Sequence, residues 1–367
     1  MAFRFGIVGG GWYGCHIASS LRALGFEVKL FEQHDRLFHE ASGNNQFRLH
    51  QGFHYARHSA TRMQSRDGCS RFIERYPDLS APVANNIYAV PVGDSLLDYD
   101  TYRLVMTSTG LHFDEVTGSE LDLTNIAGAM RTSERVLNLT RARSYFESAL
   151  GDCLRLGEPV RSLVNTSRGV EIDGERFDFA IDASWGHFQG VPAQVFYEPT
   201  LLLYYEGPPG FPAVTLVDGP LCSIYPTEID TLYTLSSVPF TPLGRCETAG
   251  EARAARDAVT SALVEQRRAA MEHQISRYVP GFKDLFRFAG PQLAIKTKPH
   301  GAFDDRSCHV FQTGNVFSVL SGKIDTIFFA VERILALIEA DRGGMALHVP
   351  SSLREDIRGV SRQVEQR

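Results

Sequence analysis

A glycine-rich turn directly after the first strand is the feature that most limits how this chain folds. An apolar segment over residues 3–8 leads straight into Gly9-x-Gly11-x-x-Gly14, and a helical pattern follows. Gly9 permits a tight turn, Gly11 lets the backbone approach a pyrophosphate, and Gly14 lets helix and strand pack closely. Because the phosphates then face the helix N-terminus, the segment predicts a dinucleotide-binding site.

The second strand supports this interpretation. A predicted helix over residues 12–24 ends at Gly25, and a strand over residues 27–31 leads into Glu32. Glu32 follows Gly14 by eighteen residues, the spacing at which an acidic side chain binds ribose hydroxyls and disfavours a 2′-phosphate. The alternative is a glycine turn beside a solvated Glu32. We expect a nucleotide cofactor to carry the chemistry.

Composition and charge argue against two classes of partner. With 367 residues and 43% hydrophobic content, the chain can fill a large core or two adjoining lobes. The net charge of −6 and the lack of a basic cluster argue against nucleic-acid binding. No apolar run reaches the roughly 18 residues that a membrane span requires. We expect a small-molecule substrate, no nucleic acid and no membrane, with the oligomeric state left open.

Cysteine usage and the first strand bear on the compartment. The six cysteines have no C-x-x-C spacing, so we expect neither disulfides nor a metal site. Since the first strand begins at Phe3, we expect no signal peptide. These features favour a cytoplasmic protein.

Three separated segments together resemble the FAD-dependent oxidoreductases of the D-amino acid oxidase superfamily, which includes glycine and sarcosine oxidases and L-2-hydroxyglutarate dehydrogenase. They are GIVGGGWYG with LFEQ, SGNNQFRLHQGFHYARHSATRMQSRDG, and FDFAIDASWGH. A C-terminal segment, GNVFSVLSGKIDTIFFAVERIL, resembles the closing Ser-Gly turn and helix of that group. The resemblance implies an α/β fold: a glutathione-reductase-like Rossmann FAD-binding domain interleaved with a mainly antiparallel α+β substrate domain.

The pattern along the chain agrees with two interleaved lobes. Helices are predicted over residues 59–76, 99–109, 139–154, 249–278 and 322–340, the first with a weak apolar stripe of Met63, Phe72 and Ile73. Alternating strands over residues 195–245 predict the antiparallel sheet, and returning strands follow over residues 287–297 and 309–319. We expect the FAD-binding domain to comprise residues 1–80, 136–190 and 290–345, the substrate domain residues 81–135 and 191–289, and a polar tail residues 346–367.

The resemblance also implies which residues bind FAD. Trp12 and Tyr13 are bulky for a glycine turn, and we interpret them mainly as packing residues of which one can touch the flavin. The expected FAD-binding residues are Gly9, Gly11, Trp12, Tyr13, Gly14, Glu32, Gln33, Ser42, Asn44, Asn45, Ala183, Ser184, Trp185, Gly186, Ser321, Gly322, Lys323 and Ile324. Lys323 would also stabilise negative charge on the reduced ring.

A histidine-rich loop supplies the candidate proton acceptors. By the resemblance, its His-x-Gly-x-x-Tyr element, which runs from His50 to Tyr55, faces the substrate. Imidazole titrates near neutral pH and suits removal of a hydroxyl or ammonium proton, so His50, His54 and Tyr55 are candidate catalytic residues. The alternative is that the histidines bond backbone carbonyls or the flavin phosphates.

Lys296 is the strongest single candidate for a catalytic residue. It interrupts an apolar strand in a chain with only five lysines. An ammonium there can hold a water against flavin N5, activate O2, or bind a substrate carboxylate, whereas the alternative is a solvent-facing edge lysine. Arg48 and Arg57 can also bind a carboxylate, with a surface ion pair as the alternative. Cys308 falls too far along the chain to match the family's flavin-linking cysteine, so we expect non-covalent FAD.

The expected function is oxidation of an amine, amino acid or 2-hydroxy acid by hydride transfer to flavin N5. A flavin-dependent monooxygenase is the first alternative. Its usual Gly-Asp motif is not visible near the third segment, which reads Ala180-Ile181-Asp182-Ala183-Ser184 and has no Gly after the Asp. A non-catalytic flavin-binding scaffold is the second, and His50, His54 and Lys296 argue against it. The divergent pocket segments would suit specialised biosynthesis.

Overall fold

The computed structural model describes residues 3–301 and 305–341; the tail predicted over residues 346–367 lies outside them. The strands are β1 (Arg4–Val8), β2 (Glu27–Glu32), β3 (Arg48–Leu49), β4 (Ser80–Pro82), β5 (Asn86–Pro91), β6 (Asp114–Val116), β7 (Ile126–Thr132), β8 (Arg135–Leu137), β9 (Leu154–Leu156), β10 (Leu163–Thr166), β11 (Gly169–Ile172), β12 (Glu175–Phe177), β13 (Phe179–Asp182), β14 (Val195–Glu206), β15 (Ala213–Leu216), β16 (Cys222–Pro226), β17 (Leu232–Ser237), β18 (Arg287–Pro299), β19 (His309–Thr313) and β20 (Val316–Leu320). The helices are α1 (Trp12–Ala23), α2 (Ser59–Arg75), α3 (Tyr99–Ser108), α4 (Leu139–Leu150), α5 (Ala249–Asp257), α6 (Ser261–Ile275), α7 (Phe282–Leu285) and α8 (Ile327–Asp341).

A six-stranded sheet in the order β19-β20-β13-β1-β2-β9 forms the first lobe. β1 pairs in parallel with β2 and β13, and β13 pairs in parallel with β20. One face is buried under α1, α4 and α8, and the other under the three-stranded sheet of β10, β11 and β12. Because both faces are covered, the parallel strands read as continuous apolar runs. This confirms the predicted Rossmann-like lobe.

An eight-stranded sheet in the order β18-β14-β17-β16-β15-β5-β7-β6 forms the second lobe. All its pairings are antiparallel except that of β15 with β5, which confirms the predicted mainly antiparallel lobe. Helices α6 and α7 bury apolar side chains such as Met271, Ile275 and Phe282 against one face of this sheet. The predicted domain boundary at residue 290 falls inside β18, which pairs with β14 over its whole length.

Several predicted elements differ from the structure in detail. The single charged helix predicted over residues 249–278 is two helices, because Thr248 and Thr260 each cap a new one by accepting a backbone hydrogen bond. The strand predicted over residues 309–319 is the β19-β20 hairpin, which turns at Gly314 with a φ of 59°. Met63 is 39% exposed and does not belong to the apolar stripe, whereas Phe72 is fully buried. Helices α4 and α8 are each shorter than predicted.

Over residues 3–301 and 305–341, no helix is both long and apolar enough to cross a membrane.

Candidate active site

The glycine turn between β1 and α1 has the geometry that the sequence predicts. Gly9 has a φ of 108°, which side chains rarely tolerate. A Cβ atom on Gly14 would lie 1.9 Å from the Gly9 carbonyl oxygen, and one on Gly11 would lie 2.7 Å from Ser42 Oγ. Gly11 is the N-cap of α1, and Ser42 Oγ accepts the Trp12 N–H. The helix therefore directs its N-terminal dipole at a turn whose backbone a phosphate can approach.

Glu32, the last residue of the neighbouring strand β2, bonds the backbone of the glycine turn. Its buried carboxylate accepts hydrogen bonds from the backbone N–H of Gly10 at 2.6 Å and of His34 at 2.9 Å. The contact with Gly10 was not foreseen, since sequence reasoning gave Glu32 only a ribose partner. The neighbouring Gln33 side chain bonds the His34 ring on the exposed side of the loop.

A cavity of about 590 Å³ lies between the carboxyl edge of the six-stranded sheet and one face of the eight-stranded sheet. Many of the predicted site residues line it: Gly11, Trp12, Tyr13, Ser42, Asn44, Asn45, His50, His54, Tyr55, Ala183, Trp185, Lys296, Ser321, Gly322, Lys323 and Ile324. The predicted residues outside this lining are Gly9, Gly14, Glu32, Gln33, Ser184 and Gly186. The carboxyl edge of parallel strands is where nucleotide cofactors bind in open α/β sheets.

The two bulky residues of the glycine turn have different environments. The Trp12 ring is buried and stacks on the Phe38 ring, with the two ring centroids 4.7 Å apart. It also packs edge-on against Phe72 and Phe146. The Tyr13 hydroxyl bonds the backbone of the closing turn, donating to the Lys323 carbonyl oxygen at 2.7 Å. Both contacts agree with the interpretation of these residues as packing residues.

The asparagines after Ser42 fold their own loop. Asn44 Nδ2 donates to the carbonyl oxygens of His39 and Glu40, and Asn45 Nδ2 donates to that of Ala41. Because these amide donors are already used, contact with FAD would come from the remaining faces of the two side chains.

The closing turn between β20 and α8 carries the half-buried ammonium of Lys323. Lys323 Nζ lies 4.6 Å from the centroid of the Tyr55 ring, a cation–π arrangement. Burial lowers the pKa of Lys323, and burial also raises the pKa of the adjacent Asp325 carboxyl. A Cβ on Gly68 would lie 1.9 Å from the Asp325 carbonyl oxygen, so α2 packs directly on this turn. The turn is therefore held firmly beside the cavity.

The two loop histidines lie together against the cavity. Their ring centroids are 5.9 Å apart, and Tyr55 packs within 6.0 Å of each. Burial, followed by the nearby Lys323 charge, lowers the pKa of both His50 and His54 well below the usual value. Neither Nδ1 atom has a hydrogen-bond partner among the residues that the structure describes. The rings are neutral at pH 7 and can therefore accept a proton.

Lys296 and Lys298, both on β18, line the same cavity. Lys296 lies directly across the β14-β18 ladder from the buried Glu198, with which Lys298 Nζ forms an ion pair. Burial and the neighbouring Lys298 lower the pKa of Lys296 to about 8. Although β18 is an edge strand, the Lys296 side chain faces the cavity rather than open solvent.

Arg48 has guanidinium N–H donors without a hydrogen-bond partner among the described residues. It is 5% exposed, its guanidinium lies 4.1 Å over the Tyr225 ring, and Nη1 donates to Thr215 Oγ1 at 2.5 Å. Its Nε and Nη2 atoms have no hydrogen-bond partner within the described part of the chain. Arg57, in contrast, pairs with Asp218 at the cavity wall. A buried guanidinium with free N–H groups fits an anionic group bound in the cavity.

Sequence reasoning missed several cavity residues, among them Glu198, Asp218 and Arg306, and considered Lys298 only as an alternative to Lys296. They lie in or near segments that match no recognisable motif. One signal was available for Lys298, because residues two apart on a strand face the same side and Lys296 was already a candidate.

These residues fit FAD. The turn admits a pyrophosphate, the cavity adjoins it, and the lining includes the basic residues Lys296, Lys298 and Lys323, which could stabilise negative charge on a reduced flavin.

Comparison with known proteins finds similar flavoproteins along nearly the whole chain. Residues 7–67 match the family described as NAD(P)-binding Rossmann-like domain. The FAD-dependent monooxygenase FPY4 of Fusarium mangiferae is 64% identical over 334 residues, which cover 91% of this chain and 90% of FPY4. Glycine oxidase from Geobacillus kaustophilus superposes with a TM-score of 0.68 at 18% identity, covering 92% of this chain and 94% of the oxidase. L-α-glycerophosphate oxidase from Mycoplasma pneumoniae, with FAD bound, gives a TM-score of 0.69 at 12% identity, covering 92% and 95%.

Proposed function

Because the chain belongs to the family of FAD-dependent enzymes that includes FPY4 and has the fold of glycine oxidase, we propose that it acts as members of the D-amino acid oxidase superfamily do and oxidises a small carboxylate-bearing substrate, an amino acid or 2-hydroxy acid. The enzyme uses FAD. When bound, FAD supplies a two-electron acceptor that takes hydride from a C–H bond beside nitrogen or oxygen. The protein must orient that bond and accept the accompanying proton.

Arg48 carries the proposal of an anionic substrate. Two of its nitrogen atoms, Nε and Nη2, are buried without a partner among the described residues, and leaving them so costs about 1–3 kcal/mol per group. Neither atom is open to solvent, so a small shift of the side chain would bring these donors to a carboxylate bound in the cavity that Arg48 lines, in a bidentate contact. An amine without a carboxylate would leave them unsatisfied, so an amine is the least favoured of the three substrate classes.

His50 and His54 are the proposed proton acceptors. Both rings line the same cavity as Arg48, and the lowered pKa of each keeps it neutral at pH 7. A neutral imidazole can take the hydroxyl or ammonium proton of the substrate as the C–H bond is broken. The ammonium of Lys296 supports the proposal by supplying a positive charge in the same cavity.

We further propose that FAD is held without a covalent bond. Cys308, the cysteine closest to a family linkage site, does not line the cavity. Acid precipitation should leave the yellow colour in the supernatant as intact FAD, and colour retained by the precipitated polypeptide would contradict this.

A flavin-dependent monooxygenase is the second candidate, because FPY4 carries that name. Anaerobic mixing separates the two. Oxidation by hydride transfer predicts that an amino acid or 2-hydroxy acid alone bleaches the flavin and that no oxygen from O2 enters the product. A monooxygenase instead requires an external reductant such as NADPH, and labelled ¹⁸O2 then enters the product. If neither a substrate panel nor NADPH reduces the flavin, the protein is the scaffold of the third alternative.

A further inference from the structure

A buried carboxylate lies directly behind one of the cavity histidines. Glu134, between β7 and β8, is fully buried. Its Oε1 accepts the backbone N–H of Gln51 at 2.8 Å, and its Oε2 accepts the Tyr88 hydroxyl at 2.8 Å. Burial raises the pKa of Glu134, whereas both hydrogen bonds and the Arg48 charge oppose that rise. Since both partners only donate to the carboxylate in these contacts, they favour its ionised form.

His50 is the next side chain toward the cavity. Its Nδ1 lies 3.7 Å from Glu134 Oε2 and has no hydrogen-bond partner in the described chain. The same ring lines the cavity. The two nitrogens of an imidazole lie on different edges of the ring, so Nδ1 near Glu134 leaves Nε2 for the cavity.

We propose that Glu134 is a positioning residue for His50, and this rests on the proposed role of His50 as a proton acceptor. Glu134 holds the proton of the neutral ring on Nδ1, so that the lone pair of Nε2 faces the substrate. It also stabilises the imidazolium that forms when Nε2 accepts a proton. The present separation exceeds a hydrogen bond, and such contacts commonly shorten when a substrate fills the site.

The charges around His50 show why a carboxylate is needed there. Lys323 from the closing turn and Arg48 from β3 both disfavour a protonated His50, and His54 lies beside it as a neutral ring. Glu134 is the carboxylate within ion-pair distance of His50 among the described residues. Without it, the imidazolium would form beside two positive charges with no close compensation.

The first test needs no substitution of Glu134. Holoenzyme labelled with ¹⁵N-histidine would be examined by long-range ¹H–¹⁵N correlation, with His50→Asn used to assign the His50 signals. The proposal requires a neutral ring protonated on Nδ1. A ring protonated on Nε2 in the parent enzyme overturns it, whatever any variant does.

The second test compares Glu134→Gln with Tyr88→Phe. Tyr88→Phe removes a hydrogen bond to the same carboxylate but keeps the charge beside His50, so it is the matched control. Glu134→Gln should slow flavin reduction about 10- to 100-fold with little change in substrate dissociation constant, and Tyr88→Phe should have a much smaller effect. The pH at which the reduction rate rises should move to lower pH in Glu134→Gln, because loss of a negative charge lowers the pKa of the histidine. Glu134→Asp, which keeps the charge, should recover part of the rate.

Equal effects of Glu134→Gln and Tyr88→Phe, with an unmoved pH profile, would overturn the proposal and leave Glu134 a packing residue. Failure of the proposed function has a different signature. His50→Asn would then reduce flavin at the parent rate, while the Nδ1 tautomer could still be present in the spectrum.

Discussion

The Tyr13 hydroxyl donates a hydrogen bond of 2.7 Å to the carbonyl oxygen of Lys323, a residue 310 positions further along the chain. The same hydroxyl lies 2.7 Å from Thr326 Oγ1, which is 2.9 Å from Ser321 Oγ. The contacts join the first turn of α1 to the turn before α8. The two ends of the chain that are expected to hold FAD are therefore fixed to one another directly.

Replacing Gly14 by alanine should disrupt this lobe. The new Cβ would lie 1.9 Å from the Gly9 carbonyl oxygen, a backbone atom that cannot move without shifting β1 or α1. We expect loss of bound FAD and a lower melting temperature. Gly250→Ala, in the first turn of α5, is the control: its nearest neighbour is Thr248 Oγ1 at 3.9 Å, so it should be neutral or slightly stabilising. Normal flavin content in a folded Gly14→Ala protein would contradict the assignment of the glycine turn to FAD binding.

The cofactor lobe was predictable because its signals are local. The glycine spacing, the apolar strands and the acidic residue at the end of β2 all lie within one βαβ unit, where each residue type has one structural reason. The bond between Tyr13 and Lys323 was not predictable, since neither residue carries a signal for a partner so distant in sequence.

Replacing Glu32 by glutamine should weaken FAD binding. The carboxylate accepts N–H groups from both Gly10 and His34, and a glutamine can keep only one of these bonds while placing an NH2 group against the other. The loss should be about 1–3 kcal/mol of binding free energy, read from titration of the apoprotein with FAD. Glu27→Gln, at the exposed start of the same strand, should leave the dissociation constant unchanged. If both variants bind FAD as tightly as the parent does, Glu32 is not part of the cofactor site.

Replacing Arg48 by methionine should weaken binding of a carboxylate substrate by about 2–4 kcal/mol, because a charged bidentate contact is lost in a buried site. The melting temperature should change little, since the loss of the Thr215 hydrogen bond and of the Tyr225 ring contact is offset by the removal of buried N–H groups without partners among the described residues. Arg48→Lys should restore the charge but not the two-pronged geometry, and so recover affinity only in part. Arg57 is paired with Asp218, and Arg57→Met should affect affinity less. Equal losses in the Arg48 and Arg57 variants would place the substrate carboxylate elsewhere.

The part of the cavity that is proposed to bind the substrate could be predicted only for a few residues. Lys296 stood out because it interrupts an apolar strand, but its partner Glu198 lies nearly a hundred residues earlier and meets it only through the pairing of β14 with β18. Glu134 carries no motif at all, and its role follows from burial behind His50. This half of the site is formed by pairing between strands that are distant in sequence, and the hydrophobic periodicity of a sequence does not predict which strands pair.

Lys296→Met should raise stability and lower activity at once. Burial lowers the pKa of Lys296 from its ordinary 10.5 to about 8, so below pH 8 the folded protein holds an ammonium that is more stable in the unfolded chain. Between pH 8 and 10.5 the unfolded chain binds more protons, and the parent protein therefore gains stability as pH rises. Methionine removes the penalty. It should increase the free energy of unfolding by about 1–3 kcal/mol at pH 7, and the gain should disappear toward pH 10.5.

The same substitution should raise the barrier of one half-reaction by about 2–4 kcal/mol, because it removes a half-buried positive charge from the cavity. Slow reduction by substrate would assign Lys296 to substrate binding, and slow reoxidation by O2 alone would assign it to oxygen activation. Lys296→Arg should not fully restore either rate, since a guanidinium is larger and planar. Lys283→Met is the control, because that lysine is 60% exposed and pairs with Glu272 far from the cavity lining. Parent rates in both half-reactions, together with no gain in stability at pH 7, would show that Lys296 lines the cavity without a role in either half-reaction.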